Sequence, residues 1–89
     1  MASILVQHSV KDYAAWKKLF DSSIDMRKSA GELSAQVYRD ASDPNKITVI
    51  NKWNSYANAQ TFVNSPELKA AMEKAGVVGA PTVYFLNEA

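Results

Sequence analysis

Runs of alternating or continuous apolar residues predict four β-strands in this chain. The runs cover residues 3–9, 33–39, 46–53 and 82–87. In the first strand, a period of two places Ile4, Val6 and His8 on one face. The second and third runs flank the turn-forming segment Asp40–Asn45, which favours a β-hairpin. Every strand carries apolar residues on both faces, which predicts a sheet that is covered on both sides.

Apolar residues at helical spacing predict that the segments between the first and second strands and between the third and fourth strands are helices. Ser9 and Asp12 fit a capping box, which marks the start of the first helix. Its apolar stripe consists of Tyr13, Trp16, Leu19, Phe20 and Ile24. Gly31 suits the left-handed position that follows a helix. Shorter helices are predicted over residues 56–64 and from Ser65 to Gly76.

The resulting order, β-α-β-β-α-β, is typical of a ferredoxin-like α+β fold with a four-stranded antiparallel sheet. We expect residues 1–89 to form one domain of this kind. Helices cover only one face of such a sheet, so the apolar groups on the second face predict a homodimer that packs face to face. Gln36 and Tyr38 are candidates for that interface.

Composition and charge exclude several kinds of binding partner for this chain. The chain has ten basic and nine acidic residues and a net charge of +1, without the basic stripe that binding to nucleic acid requires. It has no cysteine, which excludes disulfides and cysteine-based zinc sites and makes a partner subunit the natural support for a small core. The first apolar run is too short for a signal peptide, and no stretch reaches the ~20 apolar residues of a membrane span, which predicts a cytoplasmic protein without a membrane partner.

A single histidine, His8, limits the chemistry that the chain can perform. A histidine-based metal site requires more than one such ligand, and the acidic residues are scattered, so no metal is expected. No G-x-S-x-G elbow accompanies His8, and the three glycines cannot form a dinucleotide-binding loop. We therefore predict no cofactor.

Polar and aromatic side chains on otherwise apolar elements predict a pocket for a flat, apolar or aromatic organic molecule. His8 is the candidate general base, because an imidazole titrates near neutral pH. Asn51 or Tyr84 would bond the oxygen on which negative charge develops. The predicted ligand-binding residues are Trp16, Phe20, Trp53, Phe62 and Met72. The alternative is that these side chains fill the core with their hydrogen bonds satisfied.

Three segments and the order of the elements give the chain a resemblance to a known family. The segments are VKDYAAWKKLFD, KWNS and SPELKAAM. The chain resembles the dimeric α/β-barrel superfamily over nearly its whole length, and within it the antibiotic-biosynthesis-monooxygenase-like domains. The resemblance implies a homodimer whose two sheets form a barrel, with a ligand pocket between sheet and helices in each subunit. It also implies a possible activity, the oxidation of aromatic or quinol substrates by a cofactor-independent monooxygenase.

Two departures from the superfamily's patterns bear on activity. Set against the pattern N-x-W-L-x-S-x-x-F-K-x-x-H of the haem-degrading branch, Met72 stands at the place of the iron-ligating histidine and Phe62 at that of the tryptophan. Family members also often carry a histidine after the KWNS-type junction, and Tyr56–Asn64 contains none. The functions left open are an enzyme, either a cofactor-independent monooxygenase or an isomerase-like proton-transfer catalyst, a non-catalytic ligand-binding or stress-type dimer, and a purely structural role without a cavity.

Overall fold

The computed structural model describes residues 2–89 of the chain. Its elements are β1 (Ala2–Val10), α1 (Tyr13–Ser22), α2 (Ile24–Ala30), β2 (Glu32–Arg39), β3 (Lys46–Trp53), α3 (Tyr56–Val63), α4 (Pro66–Lys74) and β4 (Val77–Asn87). The strands form one antiparallel sheet in the order β2-β3-β1-β4. This arrangement confirms the predicted ferredoxin-like α+β fold. No helix within residues 2–89 is long and apolar enough to cross a membrane.

One face of the sheet is covered by helices and carries the buried side chains. In β3 these are, as the alternation predicts, Ile47, Val49, Asn51 and Trp53. β1 pairs with β3 so that Ile4 lies opposite Asn51 and His8 lies opposite Ile47. Ile4 and His8 are themselves buried. The inner face of β1 is therefore the one with Ile4, Val6 and His8, which the alternation predicts to share a face.

Two apolar clusters fasten the helices to this face. The cluster under α1 consists of Val10, Trp16, Ile47 and Val49. The cluster under α3 consists of Ile4, Trp53 and Ala59. The ring of Trp16 stacks on Phe20 with 4.9 Å between centroids, and the ring of Trp53 lies 5.0 Å from that of Phe62. Aromatic pairs of this kind contribute about 0.5–1.5 kcal/mol beyond the area they bury. Each cluster is thus built around a tryptophan, one from a helix and one from the sheet.

The first helix begins later than predicted, and the structure divides it into two helices. β1 continues past Ser9, and Asp12 is the N-cap, since the backbone N–H of Ala14 donates to Asp12 Oδ1 at 3.1 Å. The predicted start at Ser9 is therefore wrong. The expected single helix is divided at Ser23 into α1 and α2. There the Ser23 hydroxyl donates to the carbonyl oxygen of Leu19 at 2.8 Å, a local bond that competes with the helical backbone pattern.

β4 begins earlier than the sequence pattern predicts and contains the segment Gly79–Pro81, which that pattern assigns to a loop. The register between β1 and β4 shifts between Gln7 and Ser9, so His8 lies at an irregularity of the sheet. Gly79 has a φ of +73°, which a glycine adopts without strain. Bulges of this kind accommodate a proline inside an edge strand, and β4 is an edge strand.

The second face of the sheet carries none of these helices. On it Leu5 lies opposite Ile50 of β3 and opposite Tyr84 of β4, which makes a row of large side chains across three strands. Tyr38 and Leu86 extend this surface and are 51% and 39% exposed. We call this surface the uncovered face. These large side chains stand among polar ones such as Gln7 and Thr48, and their presence on this face is what the strand patterns predict.

Gly31 makes the turn between α2 and β2. Its φ of +119° lies in the left-handed region, as predicted for the residue that ends this helix. Its carbonyl oxygen accepts a hydrogen bond from the backbone N–H of Asn54 at 2.9 Å. A Cβ built at Gly31 would lie 2.5 Å from Asn54 Oδ1. The turn is therefore packed directly against the end of β3.

We expect Gly31→Ala to lower the free energy of unfolding, because it combines a strained φ, which alone costs about 1–3 kcal/mol, with a steric clash against Asn54. Gly79→Ala is the matched control: its φ is also positive, at +73°, but no atom lies within 4 Å of the added Cβ. Urea unfolding of both variants measures the difference. The interpretation is contradicted if Gly79→Ala destabilises the protein as much as Gly31→Ala does.

Candidate functional site

A cleft of about 610 Å³ opens between the covered face of the sheet and the helices. Its floor is formed by inner-face residues of β1 and β3, and its walls by residues of α1, α2, α3 and α4. The lining is mostly apolar, with a few polar side chains contributed by the strands, by α2, by α4 and by the segment that precedes α4. Concave, largely apolar cavities of this size are typical of sites for small organic ligands.

The cleft brings together most of the predicted site residues. Those that line it are His8, Trp16, Phe20, Asn51, Trp53, Phe62 and Met72. Tyr84 does not join them, because it lies on the uncovered face opposite Leu5 and is 52% exposed. Side chains alternate between the two faces of a strand, so its neighbour Val83 lines the cleft instead. The expectation that Tyr84 acts beside His8 and Asn51 is therefore corrected for the single chain.

His8 places a buried imidazole in the floor of the cleft. Its Nδ1 is buried and has no hydrogen-bond partner among residues 2–89. Its ring meets that of Trp16 edge to face, with 5.4 Å between centroids. Burial lowers the pKa of His8 below 6.5, and a contact with its own backbone opposes part of this change. The imidazole is therefore neutral near neutral pH and is able to accept a proton.

The pKa of His8 can be measured directly, since the chain has a single histidine and hence a single Hε1 proton signal. We expect the native midpoint to lie below 6.5, the value of an unperturbed histidine. As the pH falls below 6.5, the unfolded chain binds a proton that the folded protein excludes, so the stability decreases until the native pKa is reached.

Urea unfolding of wild type and of His8→Gln, between pH 6.5 and the native pKa of His8, isolates the contribution of the histidine to the pH dependence of the stability. The variant should lack the contribution of the histidine, while the carboxylates contribute to the pH dependence of the stability in both proteins. An NMR midpoint at or above 6.5 would show that burial does not govern the titration of His8.

Trp53 provides a second buried polar atom without a partner. Its side chain is fully buried, and no described residue accepts a hydrogen bond from its Nε1–H. An unpaired buried donor costs about 1–3 kcal/mol, so most native proteins avoid it. Both unpaired atoms, on Trp53 and His8, belong to residues that line the cleft.

A buried polar network closes one side of the cleft. Arg27 Nε donates to both carboxylate oxygens of Glu32, each at 3.1 Å. Asn51 Nδ2 donates to Glu32 Oε2 at 2.6 Å. The three residues are between 5% and 7% exposed. The network joins α2, β2 and β3, and it holds Asn51 in a fixed orientation.

Arg27 makes further contacts that fix its guanidinium group. Its Nη1 donates to Ser23 Oγ at 3.3 Å and to the carbonyl oxygen of Phe20. The guanidinium also lies over the ring of Phe20, 3.7 Å from the centroid, which adds a cation–π attraction. The break between α1 and α2 at Ser23 is therefore filled by the side chain of Arg27.

The sequence patterns do not identify Arg27 or Glu32 as site residues. A cationic residue in the last turn of a helix is explained by the helix dipole, and an acidic residue at the start of a strand by exposure to solvent. Their contact depends on the left-handed turn at Gly31 between them. In the sequence, the only signal for this contact is a basic residue before the glycine and an acidic residue after it. This signal is weak.

α4 forms the outer wall of the cleft. None of its residues is buried, although the predicted apolar face, with Leu68, Ala71 and Met72, does line the cleft. Ser65 caps the helix as predicted, accepting a hydrogen bond from the backbone N–H of Leu68 at 3.2 Å. Met72 presents a flexible thioether to the cleft, which suits contact with ligands of variable shape.

The family model for antibiotic biosynthesis monooxygenase matches residues 8–74. This range contains every predicted site residue that lines the cleft, from His8 to Met72. The chain belongs to the antibiotic biosynthesis monooxygenase family. No curated protein matches it.

Solved structures share the fold at low sequence identity. A protein from Bordetella bronchiseptica assigned to the same family is 14% identical, with a TM-score of 0.82 over 99% of this chain and 96% of the other. One from Caulobacter crescentus is 19% identical, with a TM-score of 0.76 over 99% of this chain and 89% of the other. A mutant of SnoaB, a cofactor-independent oxygenase from Streptomyces nogalater, is 11% identical, with a TM-score of 0.75 over 98% and 91%. These likenesses show the fold.

Proposed function

We propose that this protein binds a small aromatic or quinol-like molecule in the cleft and oxidises it with molecular oxygen, without a cofactor. The observation that carries the proposal is the imidazole of His8, which lines an apolar cleft of about 610 Å³ and whose buried Nδ1 has no hydrogen-bond partner among residues 2–89. Burial keeps the pKa of this imidazole below 6.5, so it is available as a base. Membership of the antibiotic biosynthesis monooxygenase family supports the same class of reaction.

In this mechanism His8 removes a proton from a phenol or from an activated methylene group of the substrate. The resulting anion is electron-rich and reduces oxygen directly. At a methylene group, one oxygen atom of O₂ replaces the two hydrogens as a carbonyl, and the second oxygen atom leaves as water with those hydrogens. Asn51 bonds the substrate oxygen, while Trp16 and Phe20 hold the aromatic ring from the side of α1.

Oxygen uptake with anthrone, which has an activated methylene group, tests this proposal. We expect His8→Gln to slow uptake by about 10²–10⁴-fold, the usual contribution of a general base. Tyr84→Phe is the matched control, and it should keep the wild-type rate because Tyr84 lies on the uncovered face. Equal rates for wild type and His8→Gln would remove His8 from the mechanism.

A second candidate function is binding without turnover. It is favoured by the segment Tyr56–Asn64, which lacks the histidine that the family resemblance leads us to expect there. In that case anthraquinone would raise the melting temperature by mass action, and anthrone would not increase oxygen consumption. The same two compounds thus separate a binding protein from an oxygenase.

We also propose that the protein forms a homodimer through the uncovered face. The row of Leu5, Ile50 and Tyr84 offers an apolar strip that can face the same strip of a second copy across a two-fold axis. Tyr38 and Leu86 enlarge it on either side of that row. A second copy of the chain is the occupant that the family resemblance implies, and burying this face would supplement a core that is small in a chain of 89 residues.

Size-exclusion chromatography with light scattering at micromolar concentration tests the dimer. We expect a dimer for wild type and a monomer for Ile50→Lys, because the new charge would be desolvated in the centre of the interface. Ala14→Lys is the control, since it adds the same charge on the exposed side of α1. A monomeric wild type, or a dimeric Ile50→Lys, would contradict the proposed interface.

A further inference from the structure

Glu32 does not line the cleft, but it compensates the buried charge that does. Of the charged side chains in the lining within residues 2–89, Lys69 and Glu73 are exposed, and only Arg27 is buried. Behind Arg27 lies Glu32, whose carboxylate accepts two hydrogen bonds from Arg27 Nε at 3.1 Å. A buried cation is thus compensated from the side that faces away from the cleft.

Glu32 also fixes the orientation of Asn51. A carboxylate only accepts hydrogen bonds, so the Asn51 amide must turn its Nδ2 toward Glu32, which it meets at 2.6 Å. This leaves Asn51 Oδ1 and the second Nδ2 hydrogen for other partners. Asn51 is part of the cleft lining. A ligand that reaches it can therefore donate a hydrogen bond to an acceptor whose position Glu32 sets.

We propose that Glu32 is a positioning residue that makes the cleft select ligands which carry a hydroxyl group and no charge. The inference rests on the proposed function, because it requires that the cleft binds a small aromatic molecule. An anionic ligand would lose its hydration in the cleft, and Arg27, already paired with Glu32, would not compensate that loss. A neutral hydroxyl group loses less hydration, and it can donate a hydrogen bond to Asn51 Oδ1.

This selection fits the chemistry that is proposed for His8. A neutral imidazole can act as a base only on a substrate that still carries its proton. When the proton moves to His8, the substrate anion and the imidazolium form together, and the net charge of the cleft does not change. Glu32 would thus admit the protonated form of the substrate, on which His8 can act.

Calorimetric titration with 1-naphthol and 1-naphthoate near neutral pH tests the inference, since the first is neutral and the second is charged. Wild type should bind 1-naphthol more tightly by about tenfold or more, and Glu32→Gln should reverse the order by leaving Arg27 uncompensated. Glu88→Gln is the matched control, because it removes the same charge from an exposed position outside the lining of the cleft. It should keep the wild-type preference. A merely structural role of Glu32 would change stability without reversing the ligand preference.

A second comparison tests the hydrogen bond from the ligand to Asn51 Oδ1. It does not depend on whether Glu32→Gln folds. Wild type should prefer 1-naphthol to 1-methoxynaphthalene, which cannot donate to Asn51 Oδ1. The double variant Arg27→Met/Glu32→Leu removes the ion pair as a unit, a change that buried pairs often tolerate, and it should lose this preference.

Each outcome decides between the two proposals. If wild type binds 1-naphthoate as tightly as 1-naphthol, or if Glu32→Gln keeps the wild-type order, the role of Glu32 is overturned while ligand binding stands. The role is also overturned if the double variant keeps the full preference for 1-naphthol over its methyl ether. If wild type binds none of the three probes, small-molecule binding itself is overturned, and this inference with it.

Discussion

The polar side of the cleft depends on the buried ion pair between Arg27 and Glu32. This pair links the end of α2 to the start of β2 across the left-handed turn at Gly31, and through Asn51 it reaches β3. Both charges are buried, so neither has water to replace its partner. Loss of one partner from a pair of this kind typically costs about 3–5 kcal/mol, a large share of the roughly 5–15 kcal/mol that stabilises a domain. The residues that give the cleft its polar character therefore also hold its helices in place.

The two sides of the cleft differ in how firmly they are held. His8 and Asn51 stand on paired strands in the middle of the sheet, where the ladder of backbone hydrogen bonds fixes their direction. α4 contributes apolar side chains but buries none of them completely. A rigid polar floor and a loosely packed apolar wall suit a site in which the reacting groups must be placed accurately while the ligand's shape can vary.

Periodicity could predict which residues of β1 and β3 share a face, because the period of a strand is fixed. It could not decide which face of β4 belongs inside, since both faces of that strand are apolar, and Tyr84 is placed by pairing with Leu5. The contact between Arg27 and Glu32 could not be predicted either. It depends on a backbone turn with a φ of +119°, and helix dipole arguments explain Arg27 without any partner. The patterns therefore predict the floor of the site and miss the network that orients it.

The irregularity in β4 has a consequence for how this surface can change in evolution. Across it, β1 advances by two residues, from Gln7 to Ser9, while β4 advances by four. Because both counts are even, the alternation of β4 keeps its phase, and Val83 stays in the cleft while Tyr84 stays on the uncovered face. Loss of one codon within Gly79–Pro81, with the pairing of Val77 and Val78 to β1 kept, would shift that phase and exchange the two side chains. The bulge is thus the point where a minimal genetic change could transfer a phenol from the uncovered face into the cleft.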